Sequence, residues 1–219
     1  MRSGGQGYAS SSIIERRRRI LATARKMIAA EGMAAVNMDE ISRRAHVAKR
    51  TLYNAFQSKE RLIATAIQQY FEDYEVELVY TAPPATPRRM AEHLTLIAAR
   101  NLTIRNYTRA LLNVYYSADI EDDVRKTINE IVAHSHRPWI ERLDAERQLQ
   151  PWIQRDTLVD DLVRYRYSVA NDWVHGRIQD ERLAPTLIGG VMTMVIGATK
   201  PRARREAEDV LKELGLSPS

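Results

Sequence analysis

Residues 46 to 62 read His-Val-Ala-Lys-Arg-Thr-Leu-Tyr-Asn-Ala-Phe-Gln-Ser-Lys-Glu-Arg-Leu, and this stretch leaves few choices of fold. Leu52 and Phe56 stand four apart, on one face of a helix. The helical signal runs from about Ala48 to Ala55, and Ser58 then opens a new capped segment. A helix of two turns is marginal alone in water, because its nucleus costs more than so few hydrogen bonds return. It persists only where neighbours grip Leu52 and Phe56, and that grip fixes the direction of the opposite face. The opposite face carries Lys49, Arg50, Tyr53 and Asn54, with Thr51 at its edge and no carboxylate.

The flanking segments supply the neighbours. Asn37-Met38-Asp39-Glu40 has capping-box spacing, with Asn37 as cap and Glu40 at the third position. The helix it opens buries Met38, Ile41 and Ala45 and turns Arg43 and Arg44 outward. His46-Val47-Ala48 must then turn the chain sharply. That turn wants a positive φ, and Val47 fills the angle between the helices. Upstream, Ser12-Ile13-Ile14-Glu15 repeats the cap pattern. Ile14, Ile20, Leu21, Ala24, Met27 and Ile28 follow as an apolar stripe, and Gly32 stands just past its end. Downstream, Ser58 caps a long helix to about Tyr80, a rod of about 33 Å at ~1.5 Å per residue.

Thr81 to Pro87 is rich in proline and breaks the rod. Beyond it helices are expected at about 88–104, 106–117, 120–148, 156–180, 184–199 and 201–214, with Pro138 kinking or splitting the third. No segment of length alternates with period two. The expected class is all-α, with about nine to ten helices: a three-helix head followed by a helical bundle.

Charge divides the chain in the same place. Residues 1–60 hold 12 Lys/Arg against 5 Asp/Glu, and residues 61–219 hold 21 against 23. A basic unit joined to a near-neutral body points to a polyanion, either nucleic acid or an anionic membrane surface. On charge alone, a solvated basic face is an equal reading. The expected organisation is a mobile Gly/Ser-rich leader over 1–12, a basic unit over 13–60 and a body over 61–219. The chain has no cysteine, which excludes a disulfide framework and thiolate zinc sites and suits a reducing cytoplasm. The longest largely apolar run, Val191 to Ala198, is too short for a bilayer, where about 20 residues are needed.

Helix, three-residue turn and helix is the arrangement of the helix-turn-helix, whose second helix enters the DNA major groove. Arg50 suits guanine O6 and N7, and Asn54 suits adenine N6 and N7. The hydroxyls of Tyr53 and Thr51 suit phosphate oxygens. Lys49 is a further cation on the same face. Lys59 lies in the first turn of the long helix, where backbone N–H groups favour an anion. Arg43, Arg44 and the Arg16–Arg19 run are candidate backbone contacts, which set register and affinity. The competing reading is an ordinary αα corner with a solvated basic side. The two capped helices, the basic outward side and the basic segment weigh together against it.

These residues also resemble a known family. "VNMDEISRRAHVAKRTLYNAFQSKERLI", preceded by "RRRILATARKMIAAEGMAAV", is similar to the N-terminal DNA-binding domain of the tetracycline-repressor (TetR) family over roughly residues 14–65. The resemblance implies a homodimeric, ligand-responsive transcription regulator, most often a repressor on a near-palindromic operator. In it a body ligand swings the long helix and changes the spacing of the two heads. Three positions depart from the family pattern. His46 stands where glycine is usual, which implies turn strain. Ala48 replaces a usual serine, which implies a missing side-chain cap. Ala55 stands where His or Tyr often contacts phosphate.

For the body, the resemblance implies a four-helix bundle between two copies, built here from about 156–180 and 184–199. Gly189-Gly190 and the apolar residues after it make the second of these a helix that must be buried, and its glycines would let backbones approach closely. Aromatics at helical spacing are more often core than pocket. Tyr107, Tyr115, Tyr116, Trp139, Tyr165 and Trp173 are nevertheless the candidate lining for a fairly large apolar effector with a polar handle. His134-Ser135-His136 spaces its histidines two apart, which does not bring them together on a helix, and a solvated helix end is expected. His93 and His175 read as isolated histidines. No nucleophile–base pair, phosphate loop or metal motif indicates catalysis, and no cofactor is implied. The alternative is a helical carrier or enzyme whose basic head docks on a polyanion. A membrane-surface role for the first helix conflicts with the use of its apolar stripe to cover Leu52 and Phe56.

Overall fold

A computed structural model describes residues 5–32, 36–118 and 120–216. Among the described residues are ten helices: α1 (Gly5–Glu31), α2 (Met38–Arg44), α3 (Lys49–Phe56), α4 (Lys59–Glu77), α5 (Pro87–Thr103), α6 (Arg105–Tyr115), α7 (Asp122–Ala145), α8 (Arg155–Val174), α9 (Asp180–Ala198) and α10 (Pro201–Glu213). The one antiparallel β-bridge among them, Leu149 to Thr199, ties the α7–α8 connection to the end of α9. The class is all-α, with an N-terminal helix-turn-helix and a C-terminal bundle.

The head follows its local signals closely. Asn37 caps α2 in extended conformation, and its Oδ1 accepts from Glu40 N at 2.7 Å. His46 takes φ 52°, the left-handed value that the sharp turn demands. Ala48 is the N-cap of α3 and has no side-chain cap bond. Ala48→Ser is therefore expected to stabilise the head by about 1 kcal/mol, read as a raised midpoint in urea. Gly32 lies at φ 74° just past α1, and its N–H bonds Ile28 O at 3.1 Å. Ile20, Ala24, Met27 and Ile28 of α1 form one core with Ile41, Leu52, Phe56, Leu62 and Ile63.

Several boundaries differ from expectation. α1 begins at Gly5, so Ser12 lies inside it; no proline stands between them to stop the helix. The expected leader thus falls partly within α1, and residues 1–4 lie outside the described residues. α7 runs unbroken through Pro138. That places His134 and His136 in mid-helix rather than at a helix end. His134 is exposed and His136 is completely buried. α8 stops at Val174, before Gly176 at φ 74°, and α9 already starts at Asp180.

α8 packs between α7 and α9, while α5 and α10 cover other sides of α9. One expectation about α9 is corrected here. Gly190 is required by a contact within the chain: a Cβ there would lie 1.9 Å from Tyr165 Oη, whose hydroxyl donates to Thr186 O at 2.7 Å. Gly190→Ala must push the Tyr165 ring off that bond. The expected cost is about 1 to 3 kcal/mol, read by thermal unfolding, and Tyr165→Ala in the same chain should recover part of it.

Candidate nucleic-acid interface

α3 is held from behind and free in front. Leu52 is fully buried and Phe56 is 3% exposed. Arg50, Tyr53 and Asn54 are exposed, Thr51 is half-buried at the edge, and Ala55 is exposed. Arg17 of α1 supports the far end: Nη1 donates to Ala55 O at 3.3 Å, and its guanidinium lies 4.6 Å from the centre of the Phe56 ring. Arg19 donates through Nε to Ala45 O at 2.9 Å, at the end of α2. Cations are favoured at helix C-termini, where carbonyls lack partners. Two members of the Arg16–Arg19 run thus brace α2 and α3, a structural duty that the run of like charges did not reveal.

The remaining candidate contacts fall into two groups. Arg43 and Arg44 are exposed yet engaged. Arg43 grips Glu40 through Nε at 2.9 Å and Nη2 at 2.6 Å, and Arg44 bonds both Glu40 and Glu31 of α1. Hydrogen bonds from Arg43 and then Arg44 hold the Glu40 carboxyl down at about 2, and Glu31 and Glu40 push the Arg44 guanidinium up. Lys49 pairs with Asp39 at 2.5 Å, and the hydrogen bond to that carboxylate raises its ammonium. Such exposed pairs are individually weak, so a phosphate can replace the carboxylate. Arg50, Tyr53 and Asn54 stand outside these pairs. Lys59 is half-buried in the first turn of α4, whose Ser58 hydroxyl accepts from Arg61 N at 3.2 Å.

Arg61 is a residue that the sequence did not single out. Its Nη2 bonds Glu121 Oε2 at 2.6 Å and Asp123 Oδ2 at 2.7 Å at the start of α7, and its Nη1 reaches Gln57 at 2.6 Å. Gln57 takes φ 66° where α3 ends. One side chain therefore joins the end of α3, the start of α4 and the body. Its partners lie some sixty positions apart, beyond the reach of any local pattern.

Among the described residues, none of the five main cavities brings the six candidate effector residues together. Tyr107 stacks on Tyr70 at 5.0 Å and donates to Arg25 O, so it joins α6 to α1 and α4. Tyr115 packs on Tyr167 at 4.3 Å, and Tyr116 is 53% exposed. Tyr165 lies across Gly190. Trp173 is fully buried, with Nε1 on Asp180 at 2.9 Å and Arg105 over its ring. Only Trp139 of the six lines one of the larger body cavities, a cleft of about 270 Å³ with Tyr80, Arg89, Met90, His93 and Ser135. A narrower cavity of about 50 Å³ lies beside it, between Phe71, Ile97, Leu111, Leu112, Val132 and Tyr167, with His93, Asn101, Thr108 and Arg166. Aromatic spacing is equally satisfied by helix-on-helix packing, which is where Tyr107, Tyr115, Tyr165 and Trp173 are found.

With this geometry in view, the chain can be set against known proteins. Residues 20–66 match the family model for bacterial regulatory proteins of the tetR family. No curated protein matches the chain. The whole fold is similar to a TetR transcriptional regulator from Rhodococcus sp. RHA1, with TM-score 0.64 and 20% identity over 82% of this chain and 94% of that one. It is also similar to Thermus thermophilus FadR, a TetR-family transcriptional repressor in complex with lauroyl-CoA, with TM-score 0.63 and 14% identity over 83% and 94%. The R. erythropolis transcriptional repressor QsdR gives TM-score 0.60 and 19% identity over 84% and 96%. The N-terminal segment thus matches the tetR-family model over residues 20–66, and the chain as a whole has the fold of the TetR-family regulators to which it is similar.

Proposed function

We propose that the chain is a repressor that binds a near-palindromic DNA operator as a homodimer and is released by a small apolar effector. The observation that carries this reading is α3: its apolar side is locked into the head while Arg50, Tyr53 and Asn54 face outward from a helix that itself has no carboxylate. Arg50 and Asn54 read base edges, while Lys49, Thr51, Tyr53, Lys59, Arg43 and Arg44 reach phosphates. Residues 13–60 act as the DNA-binding unit and 61–219 as the regulatory unit, with α4 packed against both.

The second copy docks through α8 and α9. The side of α9 that holds Gly189, Thr193 and Gly197 supports this: Thr193 and Gly197 are exposed, and an added Cβ at either glycine would meet nothing within 4 Å. A two-fold axis then sets two copies of α3 one DNA turn apart, about 34–36 Å. Arg61 supports the coupling, because movement of α7 drags Glu121 and Asp123 and so tilts α4. An effector needs only to favour the state with the wrong spacing. That two of the similar proteins are described as repressors supports the negative sense of control.

Selection of bound duplexes from a random pool, followed by titration of the winner, tests the proposal. Affinity should fall by orders of magnitude between about 50 and about 200 mM salt and leave a sequence-dependent remainder. Tyr53→Ala should weaken all duplexes alike, whereas Arg50→Ala should relax preference at one or two base pairs, each worth about 1–3 kcal/mol. Equal affinity for every duplex would favour a helical carrier with a basic docking head.

A further inference from the structure

The cleft of about 270 Å³ has a wall with a donor left over. The connection from α4 to α5 forms one side of it, α5 a second and α7 a third. Most polar groups on these sides are engaged with one another. The Thr86 hydroxyl donates to Pro83 O at 2.8 Å and accepts from Arg89 N at 3.2 Å. The Ser135 hydroxyl donates to Val132 O at 2.8 Å and accepts from Arg166 Nη1 at 2.8 Å. Tyr80 Oη lies 2.8 Å from His93 Nδ1. Trp139 differs. It lines the cleft and is 2% exposed, and its Nε1 is buried with no hydrogen-bond acceptor. The desolvation cost of such an N–H is removed when a carbonyl is wedged against the indole.

The charges around the cleft favour an uncharged molecule. None of the lining residues is Asp or Glu, so an ammonium finds no counter-charge there. Arg89 is the guanidinium of the wall, and it is spent locally. Its Nε donates to Ala82 O at 2.9 Å, its Cζ lies 4.0 Å from the centre of the Tyr80 ring, and Glu92, one turn on, offsets its charge. His93 carries no charge at neutral pH, because burial holds it down at about 3. His134 is exposed and keeps its contact with water. A charge carried against such a wall loses water without gaining a partner. Size follows from volume. A cavity of about 150 Å³ accepts benzene, so the larger cleft suits a fused pair of rings, with Pro84, Met90 and Pro138 as apolar surface.

We propose that the effector is an uncharged carbonyl compound the size of two fused rings, lodged in this cleft with its carbonyl oxygen accepting from Trp139 Nε1. The proposal rests on the reading of the body as an effector-binding unit. The site borders the connection that continues α4, the helix packed against head and body alike. Glu92 fixes that connection to α5, accepting from Thr81 N at 2.8 Å and Ala82 N at 3.1 Å. A molecule wedged behind it therefore bears on α4.

Calorimetric titration of the full chain without DNA tests this with compounds on one skeleton: tetralin, 1-tetralone, 1-aminotetralin as its ammonium ion and tetralin-1-carboxylate. 1-Tetralone should bind at least about 5-fold tighter than tetralin, the effect of one recovered hydrogen bond. It should also bind tighter than either ion. Trp139→Phe should bring 1-tetralone down to the level of tetralin. Pro138 is exposed on the same wall, so a variant there tests the location even if Trp139→Phe does not fold. Pro138→Trp should fill the cleft and weaken both neutral compounds by about 10-fold or more, the scale of a misfit in an apolar pocket. Equal binding of tetralin and 1-tetralone, tighter binding of either ion, an advantage that survives Trp139→Phe, binding untouched by Pro138→Trp, or no binding of 1-tetralone would overturn the proposal. DNA release is read separately. 1-Tetralone that binds without loosening DNA upholds the site and refutes effector control, whereas release by a charged compound with no binding of 1-tetralone does the reverse.

Discussion

Phe56→Ala should lower the stability of the head by about 3 to 5 kcal/mol and abolish DNA binding. Phe56 is 3% exposed in the core shared by α1, α3 and α4, and Arg17 lies over its ring. Truncation removes the apolar contact, leaves a cavity and strips Arg17 of the surface that positions it on Ala55 O. An eight-residue helix has no intrinsic stability with which to absorb such a loss. Urea unfolding followed by circular dichroism measures the effect. Tyr53→Ala, on the outward face of the same helix, is the control and should stay within about 0.5 kcal/mol. If the two variants unfold alike, α3 is not held in the way described.

The second large effect is acid sensitivity of the body. His93 is 5% exposed, and its Nδ1 lies 2.8 Å from the Tyr80 hydroxyl. Burial, then the charges of Arg166, His134 and Arg89, bring it down from 6.5 to about 3. His136 is completely buried and is lowered well below 6.5, first by desolvation and then by Arg166 and His93. The sign follows from proton uptake. Below about pH 6.5 the unfolded chain binds protons at these imidazoles while the folded chain does not, so stability falls as pH falls. For His93 the window extends from 6.5 to about 3, at about 1.4 kcal/mol for each pH unit. Between pH 6.5 and pH 4 His93 alone should therefore remove about 3 kcal/mol, and His136 adds in the same direction. Melting temperature against pH measures this, and His93→Gln should flatten the curve. A curve that remains flat in the parent chain would mean that both imidazoles already reach water.

Both predictions concern buried groups, and they differ in how far the sequence revealed them. Leu52 and Phe56 could be assigned to the core from spacing alone, because two residues four apart on a short helix have one way to be buried. His93 and His136 could not. Each is one polar residue on a long amphipathic helix, and its burial depends on which neighbouring helix covers that arc. For the same reason the aromatics Tyr107, Tyr115, Tyr165 and Trp173 were legible as large apolar groups but not as members of particular contacts. The narrow cavity is lined instead by aliphatic residues from several helices, with Arg166 among them, and no motif marks such a set.

What the sequence determined by itself was local: ten helices among the described residues, their caps at Asn37 and Ser58, the left-handed turn at His46 and the uncapped start of α3 at Ala48. These rest on interactions between residues within about four positions, which spacing records directly. Tertiary structure alone decided how the charges are spent. Arg44 reaches Glu31, Arg17 reaches Ala55, Arg61 reaches Glu121 and Arg166 reaches Ser135. Each is a contact between elements distant in the chain, set by how helices cross. A charge in a sequence carries no mark of whether it will meet water, a carboxylate, a helix end or the wall of a cavity.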